Sequence, residues 1–169
     1  RYSSGKATDW DTPLTWDATA VGGAGGASVP TAGTVVVIGD ATHQHTVIIN
    51  ATTKASASLT VAAGSTLDLQ TYTGHTFGTI INNSTTGCGT LRIASNVYFP
   101  AGDWSTFLGS AGGTVEYYQT AASATITLPA TNTNYYNLII SPYDAKNIVL
   151  PNTNLTIYNN FTAGYSGAS

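Results

Sequence analysis

Two histidines separated by one residue are the first candidates for chemistry in this chain. His43 and His45 would lie on the same side of a strand, because strand side chains alternate between two faces. A pair of imidazoles can hold a transition metal, but such a site needs a third ligand and none is evident nearby. We therefore expect a solvent-facing pair in a turn and no metal site.

The acidic residues are few and spread along the chain. A polysaccharide-cleaving β-helix needs clustered acids, usually with basic residues on neighbouring turns. Asp9, Asp11 and Asp17 cluster near the start, and Glu116 stands beside two tyrosines, so we predict no catalytic residues and no enzymatic activity. Asp9 and Asp11 could bind Ca²⁺ through their oxygens, but the DxDxDG pattern is absent and no cofactor is predicted.

Aromatic residues are the candidates for ligand binding. Trp10 and Trp16 lie in an acidic, Thr-rich segment, and Tyr117 and Tyr135 each belong to a Tyr-Tyr pair. Neighbouring residues on a strand face opposite ways, so each pair would have one ring inside and one outside. The preferred interpretation is that the tryptophans plug one end of the fold and the tyrosines stack in its core. The alternative makes Trp10, Trp16, Tyr117 and Tyr135 contacts for a glycan.

The composition favours an extracellular β-protein. Charged residues make up 8% of the chain, compared with about 25% in an average domain. The net charge of −3 provides no positive field for nucleic acid or for anionic lipid. No stretch approaches the roughly 18 apolar residues of a membrane span, so no membrane insertion is predicted. Cys88 is the single cysteine, which excludes a disulfide within the chain.

The elements that would position these residues are short strands. SLTVAAGSTLDL (Ser58–Leu69) alternates apolar with polar residues on each side of a small-residue corner, which indicates two half-buried strands. The same pattern, broken by Gly, Asn, Ser, Pro or Asp, predicts an all-β fold. The predicted strands are Val35–Ile38, Thr46–Ile49, Ser58–Val61, Thr66–Leu69, Phe77–Ile81, Thr90–Ile93, Val97–Phe99, Thr114–Tyr118, Thr125–Leu128, Asn137–Ile140, Asn147–Leu150 and Leu155–Tyr158.

A solenoid explains this spacing better than a sandwich does. Asn-Gly and Asp-Gly hairpin turns are absent, and a two-strand unit cannot bury its apolar face without stacked copies. We predict a right-handed parallel β-helix with irregular turns, preceded by a Trp-containing cap and Gly-rich loop in residues 1–30. The solenoid would occupy residues 31–169 and continue beyond them, with Pro100–Gly113 as a loop or bulge.

Several motifs together resemble a known family. They are Trp10 to Trp16, GGAGGASVPTAG before VVVI, SLTV with GSTLDL, GTLRIASNVYFPAGDWSTF, GGTVEYY, YYNLIIS and NLTIYNNFT. In this order they resemble the N-terminal β-solenoid region of large surface adhesins of Bacteroidota. That group is exported by the type IX secretion system and includes gliding-motility adhesins of the SprB type. Residues Trp10–Leu69 also have a weaker similarity to the G8 module of animal surface proteins.

The resemblance implies a structural or adhesive module at the cell surface, exported across the outer membrane. Its partners would be secretion or surface-anchoring machinery, and surface polysaccharides are a further candidate. A carbohydrate-binding or polysaccharide-degrading β-helix remains the alternative. Hydroxyl arrays such as Thr71–Thr73 and Thr125–Thr127 leave ice binding as a third hypothesis, which expects regular rows of Thr on a flat face.

Overall fold

The computed structural model describes residues 1–82, 87–94, 99–119, 125–143 and 148–164. Val97 and Tyr98 of one predicted strand and Asn147 of another lie outside the described residues. The described chain contains one 3₁₀ turn at Pro13–Thr15 and one helical turn, α1, at Ser105–Leu108. Its strands are β1 (Tyr2–Ser3), β2 (Trp16–Asp17), β3 (Val35–Ile38), β4 (Thr46–Ile48), β5 (Ala55–Val61), β6 (Thr66–Asp68), β7 (Thr76–Ile80), β8 (Thr90–Ile93), β9 (Ala101–Asp103), β10 (Thr114–Tyr118), β11 (Ile126–Thr127), β12 (Asn134–Ser141), β13 (Ile148–Val149) and β14 (Thr156–Ala163).

The strands form two six-stranded sheets that the chain visits alternately. The first sheet has the order β2-β1-β3-β5-β7-β9, and the second has the order β4-β6-β8-β10-β12-β14. Strands β11 and β13 form a separate parallel pair. Neighbours in the two large sheets are parallel except for β1 and β2. The prediction of an all-β, parallel β-solenoid is therefore confirmed.

The Ser58–Leu69 segment shows how one turn of the solenoid, here called a rung, is built. Leu59 and Val61 of β5 are buried, as is Leu67 of β6, whereas the Thr side chains between them are partly exposed. The corner places Gly64 at a φ of +79°, a conformation that other residues rarely adopt. The Ser65 amide then donates to the carbonyl of Ala62 and closes the turn. The small residues thus direct the chain from the first sheet into the second.

The core consists of apolar columns that run across the rungs. In the second sheet, one column of paired residues passes through every strand. All of its members except the last are buried, and they are Val47, Leu67, Leu91, Val115, Leu138 and Phe161. Phe161, on the edge strand β14, is 54% exposed. Each rung therefore depends on its neighbours to bury its apolar face.

The N-terminal segment covers one end of both sheets. Strand β1 pairs with β3, and the Ile48 amide of β4 donates to the Thr8 carbonyl. The Trp10 and Trp16 side chains of this segment are fully buried, with ring centroids 4.9 Å apart. The Trp16 indole N–H donates to the Trp10 carbonyl at 2.7 Å. The segment thus protects strand edges and apolar surface that would otherwise be open.

The prediction that Pro100–Gly113 is a loop or bulge is wrong. This stretch contains β9 and α1, and β9 extends the first sheet by pairing with β7. The extended backbone approaches β7 so closely that a Cβ on Gly102 would overlap the carbonyl oxygen of Phe77. Gly102 therefore permits a strand in close contact with its neighbour.

Among the described residues, no helix has the length and apolar character required to cross a lipid bilayer.

Candidate functional site

Charged residues from three adjacent rungs meet on the outer face of the second sheet. The register pairs Asp68 of β6 with Arg92 of β8, and Arg92 with Glu116 of β10. Arg92 donates from Nη1 to Asp68 at 2.9 Å and from Nε to Glu116 at 2.7 Å. We call these three residues the charge ladder. It is the arrangement of acid and base on neighbouring rungs that a catalytic β-helix would require.

Each residue of the charge ladder already forms a hydrogen-bonded ion pair with another residue of the ladder. The Tyr118 hydroxyl donates to Asp68 at 2.7 Å, and its ring lies 4.1 Å from the guanidinium carbon of Arg92. Burial lowers the pKa of Arg92, but the hydrogen bond and charge of Glu116, with the charge of Asp68, outweigh it and raise the pKa. Burial and the bond to Asp68 raise the pKa of Tyr118. The ladder is therefore a bridge between strands, with its carboxylates occupied by internal donors.

A row of uncharged residues runs beside the charge ladder. The paired positions are Thr46, Thr66, Thr90 and Thr114, followed by Asn137 and Asn160. The neighbouring row of outward-facing residues contains the charge ladder, so this face is not a uniform Thr surface. The residues named for ice binding lie elsewhere, with Thr127 on β11 and Thr71 and Thr73 between β6 and β7.

The structure does not assemble a metal site from the histidines. The ring centroids of His43 and His45 are 6.1 Å apart, and their Nδ1 atoms bond to Asp40 and Ser3 respectively. His75 is buried, stacks on Phe77 and accepts a hydrogen bond from the Lys54 amide. Among the described residues, no three His, Cys, Asp or Glu side chains are placed to share a metal ion.

The acidic residues near the N-terminus bind protein groups. Asp9 accepts hydrogen bonds from the Asp11 amide and the Asn50 side chain, and Asp11 pairs with Lys54 at 2.7 Å. Asp17 accepts from the backbone and hydroxyl of Thr19 and from the amides of Ala20 and Gly25, which hold its pKa well below the usual value. Asp17 thus organises the Gly-rich loop.

The four aromatic residues named as glycan contacts are inside the protein. Trp10, Trp16 and Tyr135 are 0% exposed and Tyr117 is 2% exposed. The Tyr117 and Tyr135 hydroxyls lie 3.1 Å apart, and their rings meet edge to face. A sugar cannot stack on rings that are already covered on both sides, so this placement corrects the glycan-contact interpretation and agrees with the core interpretation.

A different group of aromatic residues borders an open cleft of about 550 Å³. This volume is within the usual range for small-ligand sites, about 300–1,000 Å³. The cleft lies between the segment around β9 and α1 on one side and residues 131–134 with β14 on the other. Its lining includes Phe99, Trp104, Ser105, Asn132, Asn134 and Tyr158, and we call it the Trp104 cleft.

One wall of the Trp104 cleft consists of packed aromatic rings. The Trp104 ring meets Phe99 and Phe107 edge to face, with ring centroids 5.1 and 5.5 Å away. Trp104 is 5% exposed, and its indole N–H has no hydrogen-bond partner among the described residues. Tyr158 on the opposite side is 53% exposed. Among the described residues that line the cleft, none is charged.

No family model, curated protein or solved structure matches this chain. Its function must therefore be argued from these surfaces.

Sequence reasoning missed both the charge ladder and the Trp104 cleft. Asp68, Arg92 and Glu116 are far apart along the chain, and their proximity depends on strand register. Trp104 falls within the segment that was predicted to be a loop, and Tyr158 was counted as an ordinary strand residue. A tryptophan between two glycines, Gly102 and Gly109, was the one available signal that this segment packs against the fold.

Proposed function

We propose that this chain is a non-enzymatic structural and adhesive module of a large secreted cell-surface protein. In this proposal the type IX secretion system exports the protein across the outer membrane, and surface-anchoring machinery holds it there. The solenoid would act as a rigid spacer or as a contact region in surface adhesion or gliding motility. The motifs quoted above support the export route by resemblance.

The charge ladder is the observation that carries the non-enzymatic part of the proposal. A general acid or base must exchange protons with a substrate that reaches it. Here Asp68 and Glu116 share one guanidinium, and the Asp68 side chain is 8% exposed. The neighbouring row of Thr and Asn is uncharged, which suits a surface that remains soluble without ionic groups. Both features are expected of a stable, extended module.

Surface labelling of cells that produce the full-length protein tests the proposal. Antibodies against this chain should bind intact cells, and external protease should remove the signal. In a strain without type IX secretion, the signal should require permeabilised cells. In-frame deletion of residues 1–169 should reduce adhesion or gliding while the remaining protein is still exported. Labelling that always requires permeabilisation would contradict surface display, and unchanged adhesion and gliding would contradict the adhesive role.

A carbohydrate-binding module is the second candidate, and the Trp104 cleft is the observation that favours it. The cleft combines exposed aromatic surface with amide and hydroxyl groups, as many ligand sites do. Incubation of the chain with polysaccharides should release no new reducing ends if the module binds without cleaving. Release that disappears in a Glu116→Gln variant would instead assign catalysis to the charge ladder.

A further inference from the structure

We propose that the Trp104 cleft binds a neutral oligosaccharide. Within the part of the chain that the structure describes, the cleft lies where the two sheets stop at different rungs. Among the described residues no strand pairs with the outer edge of β9, whereas the second sheet continues from β10 through β12 to β14. The chain beyond β9 turns into α1, and residues 131–134 lead into β12. A space therefore remains beside the last strand of the first sheet.

The chemistry of the lining selects the ligand class. Tyr158, which is more than half exposed, and the partly exposed Phe99 supply aromatic surface, which packs well against the C–H faces of a pyranose ring. Asn132, Asn134 and Ser105 supply amide and hydroxyl groups that both donate and accept hydrogen bonds, as sugar hydroxyls do. Because no described lining residue is charged, the cleft offers no counter-ion to a uronate, a phosphate or an ammonium group.

The Trp104 indole belongs to the covered part of the cleft wall. Its N–H group is buried and has no partner among the described residues. An unsatisfied buried donor costs about 1–3 kcal/mol. The surrounding aromatic residues, Phe77, Phe99 and Phe107, offer no strong acceptor. Because protein atoms cover this N–H group, the Trp104 indole shapes the cleft wall, and a sugar would bind through the exposed lining residues.

The position of Tyr158 also indicates a built site. The register between β12 and β14 shifts by one residue within this region. Tyr135 pairs with Ile157, whereas Asn137 pairs with Asn160. Tyr158 and Asn159 therefore stand opposite the single residue Tyr136. Such bulges redirect a side chain at functional positions. Here Tyr158 borders the cleft with more than half of its surface exposed.

A peptide that adds as a strand to β9 fits the structure less well. Strand β9 has three residues, and Gly102 within it has a φ of +142°. A short edge with an irregular backbone is a poor template for strand addition, which relies on a run of regular main-chain hydrogen bonds. The lining amides and aromatic rings suit a sugar better than a strand.

The test is calorimetric titration of the purified chain with hexasaccharides of β-1,4-linked glucose, β-1,4-linked N-acetylglucosamine, α-1,6-linked mannose and α-1,4-linked galacturonic acid. At least one neutral hexasaccharide should bind with Kd below about 1 mM, and the galacturonate should not. Tyr158→Ala and Asn134→Ala should each weaken binding about tenfold.

The control is Tyr143→Ala, because Tyr143 is 41% exposed and does not line the cleft. Its affinity should equal that of the wild type. Circular dichroism should show that all variants keep the β-fold. The proposal is overturned if no neutral hexasaccharide binds, if the galacturonate binds as well, if Tyr158→Ala matches Tyr143→Ala, or if only an extended peptide binds the cleft.

A neutral oligosaccharide would be the ligand of the adhesive module proposed above. The biological role of sugar binding therefore rests on the proposed function. The titration uses no cells, so the two can fail separately. A chain that binds sugar but is never displayed would overturn surface display alone. A displayed chain without sugar affinity would overturn this inference alone.

Discussion

The two tyrosine hydroxyls inside the solenoid depend on each other. Tyr117 and Tyr135 donate and accept across 3.1 Å, and both are buried. Tyr117→Phe would leave the Tyr135 hydroxyl without this partner, so we expect a loss of about 1–2 kcal/mol in the free energy of unfolding. Tyr117→Phe with Tyr135→Phe removes both polar groups and should cost less than either single change. Urea denaturation of the four proteins measures the coupling. Additive losses would show that the hydroxyls do not interact.

His75 makes stability depend on pH. Burial lowers its pKa below 6.5, the Lys54 charge lowers it further, and a contact with the Tyr72 backbone opposes them. The unfolded chain therefore binds a proton at a pH where the folded chain does not. Stability is complete above about pH 7 and falls as the pH drops through the unfolded pKa of about 6.5 towards the folded one.

The variant His75→Gln keeps an acceptor for the Lys54 amide and removes the titration. We expect its urea midpoint to change less between about pH 7.5 and 5.5 than that of the wild type. Some dependence should remain, because burial and the His43 charge also lower the pKa of His45. Parallel curves for the two proteins would exclude His75 as a source of the pH dependence.

The alternation of side chains along a strand predicts the burial of the tyrosine rings correctly in β10 but not in β12. In β10 it requires Tyr117 and Tyr118 to face opposite ways, and the structure buries Tyr117 beside Val115. In β12 the same rule, counted back from Leu138, would bury Tyr136. The alternation breaks between Tyr135 and Leu138, where the register with β14 also shifts, and Tyr135 is buried instead. A bulge arises from pairing with another strand, so the local sequence does not reveal it.

The charge ladder couples three strands of the second sheet. Arg92→Gln would leave Asp68 and Glu116 on either side of the substituted residue, largely buried and without their cation. We expect a loss of about 2 kcal/mol, less than for a fully buried pair because Arg92 is 33% exposed. Adding Asp68→Asn and Glu116→Gln should restore most of the stability. The measurement is the free energy of unfolding in urea.

The control for the charge ladder is the Lys54–Asp11 pair, whose Asp11 side chain is 39% exposed. Lys54→Gln should cost less than about 1 kcal/mol, as is typical of surface pairs. Equal losses for Arg92→Gln and Lys54→Gln would mean that the ladder is no more than a surface ion pair.

Strand positions could be predicted more completely than strand partners. β3, β8 and β10 begin and end where the alternation of apolar and polar residues predicts. Their neighbours in the sheets come from residues far away along the chain, and pairing register is a property of the folded molecule. The sequence therefore shows that Arg92 is one of few cationic residues, but it does not show that Arg92 lies between two carboxylates. For the same reason, β9 as the last described strand of the first sheet, and the cleft beside it, could not be foreseen.

Along the whole solenoid, position in a column should matter more than residue size. Leu67 and Phe161 belong to the same column of the second sheet, but Leu67 is 0% exposed and Phe161 is 54% exposed. Leu67 has rungs on both sides, whereas β14 is the outermost described strand of its sheet. In a solenoid each rung is stabilised mainly by its immediate neighbours.

Leu67→Ala should therefore lower the free energy of unfolding by about 3 kcal/mol, because it opens a cavity in packed surroundings. Phe161→Ala removes a larger side chain, but most of that surface is already in water, so we expect a loss below about 1 kcal/mol. Leu138→Ala, which is buried in the column beside Phe161, should behave like Leu67→Ala. Urea denaturation of the three variants gives the comparison. If Phe161→Ala were the most damaging, the side chain would have to be covered in solution and the outer face of β14 would not be open.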